Sequence, residues 1–394
     1  MPTDIRRTGR ANVTGHETHK SHAQAVRSRV FDIPAGERFE GCLLGGAVGD
    51  ALGAPVEFMP RDEIVRRFGP GGITEYASAY GRIGAITDDT QMTLFTAEGL
   101  LRAWVRGCLK GVSTYSGVTS HAYLRWLLTQ GLKPTNRVMI ETDEMGWLFR
   151  QPELHHRRAP GNTCLSALQE TQSLGKPATN SSKGCGGVMR VAPVGLFGAQ
   201  NMSEMEVFDL GVELAALTHG HPTGSLTGGC LAAMVHALVQ GRNLQVALDI
   251  AKRILVGKAQ HEETLHAIEA AERLATSALP REVAIAELGQ GWVAEEALAI
   301  SVYCALVAKD FRDGIILAVN HDGDSDSTGS ITGNLLGTML GVTAIPSHWL
   351  DALELRSVIA ELAGDLCRYR EWDMSDNSPN HHLVRQVWEK YPGF

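Results

Sequence analysis

No two cysteines of this chain are spaced C-x-x-C. The seven present (Cys42, Cys108, Cys164, Cys185, Cys230, Cys304 and Cys367) are odd in number and scattered. This argues against a disulfide framework and suits reduced, mostly core thiols in a cytoplasmic protein. No run of about eighteen uninterrupted apolar residues is available to cross a membrane. The N-terminus, rich in Arg, His and Thr, lacks the apolar stretch of a secretory signal, so export by the general route is not expected. Positive charge is scarce: 36 Lys and Arg stand against 44 Asp and Glu, a formal net charge of −8 with pI near 6.0. General nucleic-acid binding is therefore not expected. Alternating β-branched runs are few and no fixed-period repeat stands out, which argues against a sheet protein and a solenoid.

The 394 residues, 44% of them hydrophobic, suffice for a large core. Residues 1–38 differ from the remainder, with seven basic side chains against four acidic ones and few large apolar residues before Val30 and Phe31. Such a segment cannot bury enough surface to fold alone, so it is expected to be a flexible basic arm attached to an acidic body. From Phe39 onward the apolar spacing is helical almost throughout. It predicts helices over Met92–Val105, Glu204–Thr218, Pro222–Gln240, Leu244–Val256, Glu262–Ser277, Ala294–Lys309 and Asp326–Leu340. Pro222 suits a first helical turn, and Gly241 and Gly341 suit C-terminal stops. The glycines of Gly45-Gly46-Ala47-Val48-Gly49 would let helices approach closely. The fold expected is all-α: one compact multi-helix domain over residues 39–394.

Two acidic clusters stand out, Thr87-Asp88-Asp89-Thr90 and Asp324-Ser325-Asp326-Ser327-Thr328. Each sets carboxylates and hydroxyls beside small residues ahead of a helical apolar segment. Hard cations such as Mg2+ or Mn2+ take oxygen ligands, and four carboxylates (Asp88, Asp89, Asp324, Asp326) would neutralise two of them. Asp322, Asp324 and Asp326 imitate the opening of a helical-hand calcium loop. The sixth and twelfth positions of that loop should be Gly and Glu, but here are Ser327 and Gly333, so it fails. A haloacid-dehalogenase-type phosphatase would need a downstream Lys, yet none occurs between Lys309 and Lys390.

Three further segments carry chemistry. Gly49-Asp50-Ala51-Leu52-Gly53-Ala54-Pro55-Val56-Glu57 opens and closes on an acidic residue, and Glu57 could reach a metal, act as an acid or base, or cap a helix. Gly184-Cys185-Gly186-Gly187-Val188-Met189-Arg190 is a glycine-rich loop whose N–H groups could cradle a diphosphate. Thr218-His219-Gly220-His221-Pro222 has two histidines but no third soft ligand for zinc, which leaves His219 as a hydrogen-bonding group at a ligand or a cap.

Together these motifs resemble the ADP-ribosylglycohydrolases, including the dinitrogenase reductase-activating glycohydrolase and the ADP-ribosyl-arginine hydrolases. The resemblance runs from Phe39 to about Trp388. It implies an all-α fold with a binuclear Mg2+ or Mn2+ centre, with Thr87, Asp88, Asp89, Asp324, Asp326 and Ser327 on metal-ligand positions and Glu57 on a mobile acidic position. Gly184, Cys185, Gly186, Gly187 and Met189, with His219, would bind the ADP-ribose. Cys185 stands where Asn is usual, and Ser325 and Ser327 where Thr is common. The implied reaction is hydrolysis of the N-glycosidic bond between ADP-ribose and a protein side chain, arginine preferred. The metal pair would hold the vicinal hydroxyls of the distal ribose and orient water toward its anomeric carbon. Asp89 and Glu57 are the candidate general bases. The implied partner is an arginine-linked ADP-ribosylated protein. Two alternatives are an immunity protein that also binds an ADP-ribosyltransferase toxin through residues 1–38, and a catalytically silent binding protein.

Overall fold

The computed structural model describes residues 33–135, 145–375 and 378–393. Residues 1–32, and with them the expected arm and its transferase contact, lie outside the described residues. Ala35–Arg38, grouped above with the arm, form the first turn of the first helix. Arg38 is buried there and donates Nη1 to Thr338 O at 3.3 Å and Leu238 O at 3.4 Å. A charged side chain that reads as solvent-facing is satisfied by main-chain oxygens instead.

The helices follow in chain order: α1 Ala35–Gly53, α2 Arg61–Phe68, α3 Asp88–Lys110, α4 Tyr115–Thr129, α5 Gly146–Phe149, α6 Asn162–Gln169 and α7 Ala192–Gly198. Next come α8 Glu204–Ala216, α9 Pro222–Val239, α10 Leu244–Leu255, α11 Glu262–Ala275, α12 Arg281–Leu288 and α13 Ala294–Val307. The chain ends with α14 Phe311–Val319, α15 Ser325–Leu340, α16 Ser347–Ala352, α17 Arg356–Arg368 and α18 His381–Lys390. A hairpin of two-residue strands, β1 Ser78–Ala79 and β2 Arg82–Ile83, is the only sheet among the described residues. The local signals explain several helix ends. Ser203 and Glu206 form a reciprocal capping box at α8, Asn243 caps α10 and Gly341 closes α15.

One packing contact positions the site. Helix α1 is buried on every side from Gly41 to Gly53, and α15 runs antiparallel against it. The crossing is set by small residues four apart on both helices. A Cβ at Gly41, Gly45, Gly49 or Gly53 would fall 2.5 Å or less from the main-chain oxygen of Gly337, Gly333, Gly329 or Ser325 respectively. Backbone meets backbone along four turns, so the C-terminal end of α1 is held against the N-terminal end of α15. The GDALG segment thereby lies beside the Asp324 cluster.

Candidate active site

Both acidic clusters begin helices. Thr87 is the N-cap of α3, accepting from Asp89 N at 3.3 Å, with Asp88 and Asp89 in the first turn. Asp324 is the N-cap of α15, with Asp326 in its first turn. Carboxylates are favoured there by the partial positive charge of unpaired N–H groups. Asp50, near the end of α1, ties the first cluster down. It accepts from Thr87 N at 3.0 Å, Thr87 Oγ1 at 2.8 Å, Thr90 N at 3.1 Å and the Thr90 hydroxyl. Beyond α1 two successive turns, Val56 N to Gly53 O and Met59 N to Val56 O, bring Glu57 over the same space. Carboxylate oxygens of Glu57, Asp324 and Asp326 all lie within 4.8 Å of one another.

The electrostatics of this cluster are unfavourable as it stands. Burial, and then repulsion from Asp326, push Asp50 up to about 7 and Glu57 up to about 11. The same two causes raise Asp88, Asp89 and Asp324. Glu57 Oε2 and Asp89 Oδ1 are buried without a hydrogen-bond partner among the described residues. Orphaned carboxylate oxygens, hydroxyl neighbours and mutual repulsion fit a hard divalent cation.

The opposite wall is the turn Cys185–Gly187 and the residues that clamp it. Cys185 N donates to Trp292 O at 3.3 Å, Ala294 N to Lys183 O at 2.8 Å, and Asp324 N to Gln290 O at 2.8 Å. The segment 290–294 thus links the glycine loop to the second acidic cluster. Behind it the fully buried Arg190 donates to Gly186 O, to Leu214 O at 3.0 Å and to Thr218 Oγ1 at 2.7 Å, and lies over the Tyr123 ring at 4.5 Å. His219 Nδ1 pairs with Thr218 Oγ1 at 2.8 Å. Burial, reinforced by Arg190, lowers its pKa to about 3, so the imidazole is neutral.

These walls enclose a cleft of about 450 Å³. Glu57, Asp88, Asp89, Asp324, Asp326 and Ser327 line it together with Gly184, Cys185, Gly186, Met189 and His219. Of the residues singled out in the sequence, Thr87 and Gly187 are buried behind this lining, and Asp322 serves elsewhere, accepting from Arg61 N at the start of α2. At the mouth Phe58 stacks on Trp292, ring centroids 5.7 Å apart.

Residues 33–375 match the sequence profile of the family described as ADP-ribosylglycohydrolase. The chain belongs to this family. Among its relatives is the ADP-ribosyl-[dinitrogen reductase] glycohydrolase of Rhodospirillum rubrum, 27% identical over 327 residues, covering 81% of this chain and 91% of that protein. The ADP-ribosylarginine hydrolase Tri1 of Pseudomonas putida is 26% identical over 337 residues, covering 84% and 78%. A solved structure titled "ADP-ribosylglycohydrolase-related protein complex" superposes with a TM-score of 0.63 at 28% identity, covering 85% of this chain and 98% of that one.

Four residues that build this candidate site had no assigned role at the level of sequence. Asp50 carried a signal, opening the same segment that Glu57 closes, but nothing linked it to Thr87. Arg190 follows the glycine loop directly, and an arginine between Met189 and Val191 is a cue for a buried clamp. Phe58 and Trp292 are brought together by tertiary structure, and no spacing pattern connects them. No helix among the described residues is long and apolar enough to cross a membrane.

Proposed function

We propose that this protein is a metal-dependent hydrolase that releases ADP-ribose from arginine side chains of modified proteins. The observation that carries the reading is the convergence of Glu57, Asp324 and Asp326 within 4.8 Å, on the cleft that the glycine loop also lines. The name of the Pseudomonas putida relative gives arginine as the modified residue for that protein, and the acidic set of this cleft supports the same chemistry here.

Asp88, Asp89, Asp324 and Asp326, with the hydroxyls of Thr87 and Ser327, are the donors that would hold two Mg2+ or Mn2+ ions. Bound there, such ions supply Lewis-acid polarisation and neutralise charge near the distal ribose. The protein's own groups do the rest. The amides of Cys185 and Gly184 are committed to Trp292 O and Ser182 Oγ, which leaves Gly186, the glycine of the turn that lines the cleft, as the amide for a diphosphate. Water adds to the anomeric carbon, the C–N bond breaks, and the guanidine leaves with the bonding pair. Asp89 Oδ1 and Glu57 Oε2, the two buried carboxylate oxygens of this cleft without partners among the described residues, are the candidate acceptors of the water's proton. The surrounding carboxylates favour the oxocarbenium-like charge that develops.

The test is mass spectrometry of an ADP-ribosyl-arginine protein before and after incubation. The expected products are free ADP-ribose and unmodified arginine, lost together with bound metal in Asp88→Ala and Asp326→Ala. A phosphoribosyl remnant on the protein, or undiminished turnover after thorough chelation, would refute the reading.

A further inference from the structure

We infer that Glu354, which belongs to none of the sequence motifs above, is a positioning residue for Asp88. Through the Arg158 guanidinium it holds the loop Arg158–Gly161 in the conformation that orients the Asp88 carboxylate. The inference rests on the metal-dependent reading above and adds a positioning residue to it.

Glu354 lies between α16 and α17 and is 1% exposed. Its N–H donates to Gly84 O at 3.0 Å, which fixes the main chain there. Both carboxylate oxygens are used. Oε1 accepts from Arg158 Nη2 at 2.9 Å and Arg82 Nη1 at 2.8 Å, while Oε2 accepts from Arg158 Nη1 and from Ile86 N at 3.1 Å. One buried carboxylate thus grips two separate segments, the approach to helix α3 at Ile86 and the loop that begins at Arg158. Arg158, itself buried, closes the arrangement by donating Nη1 to Ile86 O at 2.9 Å. Two parallel N–H···O bonds fix a guanidinium in rotation as well as in position.

The loop so held carries Asp88. Asp88 N donates to Arg158 O at 3.2 Å, and Gly161 N donates to Asp88 Oδ2 at 3.2 Å. The same loop therefore fixes both the main chain and the carboxylate of Asp88, and Ala159, Pro160 and Gly161 line the cleft beside it. Its conformation is a costly one. Ala159 has φ +52°, a left-handed backbone that a Cβ disfavours, and it precedes Pro160, whose ring favours an extended residue before it. A strained residue persists only where its surroundings over-determine it. Arg158 supplies that restraint on one side of Ala159, and the bond from Gly161 to Asp88 supplies it on the other. A buried ion pair adds little net stability, because desolvation offsets the attraction. Here the site uses the geometry that the pair imposes.

The test measures two properties of the full-length protein: Mn2+ affinity by calorimetry, and amide hydrogen exchange of the peptide spanning residues 155–165 by mass spectrometry. Two variants are compared with the parent, Glu354→Gln and Arg158→Lys. The second keeps the buried charge but loses the paired geometry, and it serves if the first folds poorly. The expected result is Mn2+ binding weaker by about tenfold or more, with faster exchange confined to that peptide and its hydrogen-bonded neighbours. Arg82→Ala removes a half-exposed partner of the same carboxylate that does not join the loop, and should bind Mn2+ as the parent does. Ala159→Gly added to Glu354→Gln relieves the left-handed strain and should recover part of the lost affinity, which a general loss of stability would not allow. Parent-like affinity and exchange in both variants overturn the inference and leave the metal-dependent reading standing. Faster exchange through all helices, with no recovery on adding Ala159→Gly, also overturns it, because the ion pair then serves the fold alone. Failure of the parent protein to bind Mn2+ overturns both.

Discussion

Asp50 uses its carboxylate to receive four donors from Thr87 and Thr90, and those donors have no water to turn to. Replacing Asp50 by Ala strands them in the interior, where an unpaired polar group costs about 1–3 kcal/mol. Removing repulsion from Asp326 offsets part of that cost. Asp50→Ala should therefore be less stable by about 2–4 kcal/mol and bind Mn2+ more weakly; denaturant melts and calorimetry check this, and an unchanged midpoint would contradict it. His219 gives a pH dependence of known sign. Its folded pKa, lowered to about 3, lies below its ordinary value of 6.5, so the folded state binds fewer protons. The stability this residue permits is complete above about pH 6.5 and is lost progressively as pH falls toward 3. His219→Gln removes that liability, and its acid-unfolding midpoint should move to lower pH.

At the scale of elements, the glycine contact between α1 and α15 decides whether the site exists. Gly49→Ala puts a Cβ against the carbonyl of Gly329, and main chain cannot rotate aside as a side chain can. Overpacking of this kind costs about 1–3 kcal/mol. Here it also moves the N-terminal end of α15 away from Asp50 and Glu57, so Mn2+ affinity should fall together with stability. Gly36→Ala is the control. Nothing lies within 4 Å of its added Cβ, and the change should be neutral or slightly stabilising in a chemical melt. If the two substitutions behave alike, the contact does not position the site. The segment 290–294 works similarly, since its main chain joins Cys185 to Asp324 through backbone hydrogen bonds that any sequence of suitable shape could make. That explains why neither it nor Trp292 carried a signal.

At the scale of the whole molecule, buried carboxylates crowded into one cleft make the cation-free fold less stable than its core would allow. Saturating Mg2+ or Mn2+ should raise the thermal midpoint, the linkage gain being about 2.7 kcal/mol at a hundredfold excess over Kd. Asp326→Asn should show a much smaller rise, and an equal rise in both proteins would argue against a cation at this cluster. Removal of residues 1–32 should leave the fold and the hydrolysis of a small ADP-ribosylated arginine substrate nearly intact, because α1 begins at Ala35 and the family match at residue 33. Unfolding of the truncated protein would show that those residues complete the core. By itself the sequence determined the helical class, because apolar spacing and caps such as Ser203 and Asn243 are local properties of the chain. It also determined the chemistry on offer, because paired carboxylates and hydroxyls at helix starts declare their affinity for cations wherever they are placed. Which carboxylates meet was decided only by the tertiary structure. Asp50 and Thr87, Glu57 and Asp326, Cys185 and Asp324 are distant in sequence, and their proximity follows from backbone packed against backbone at Gly41–Gly53 and from the buried hydrogen bonds of Arg190 and Asp50, which no local pattern encodes.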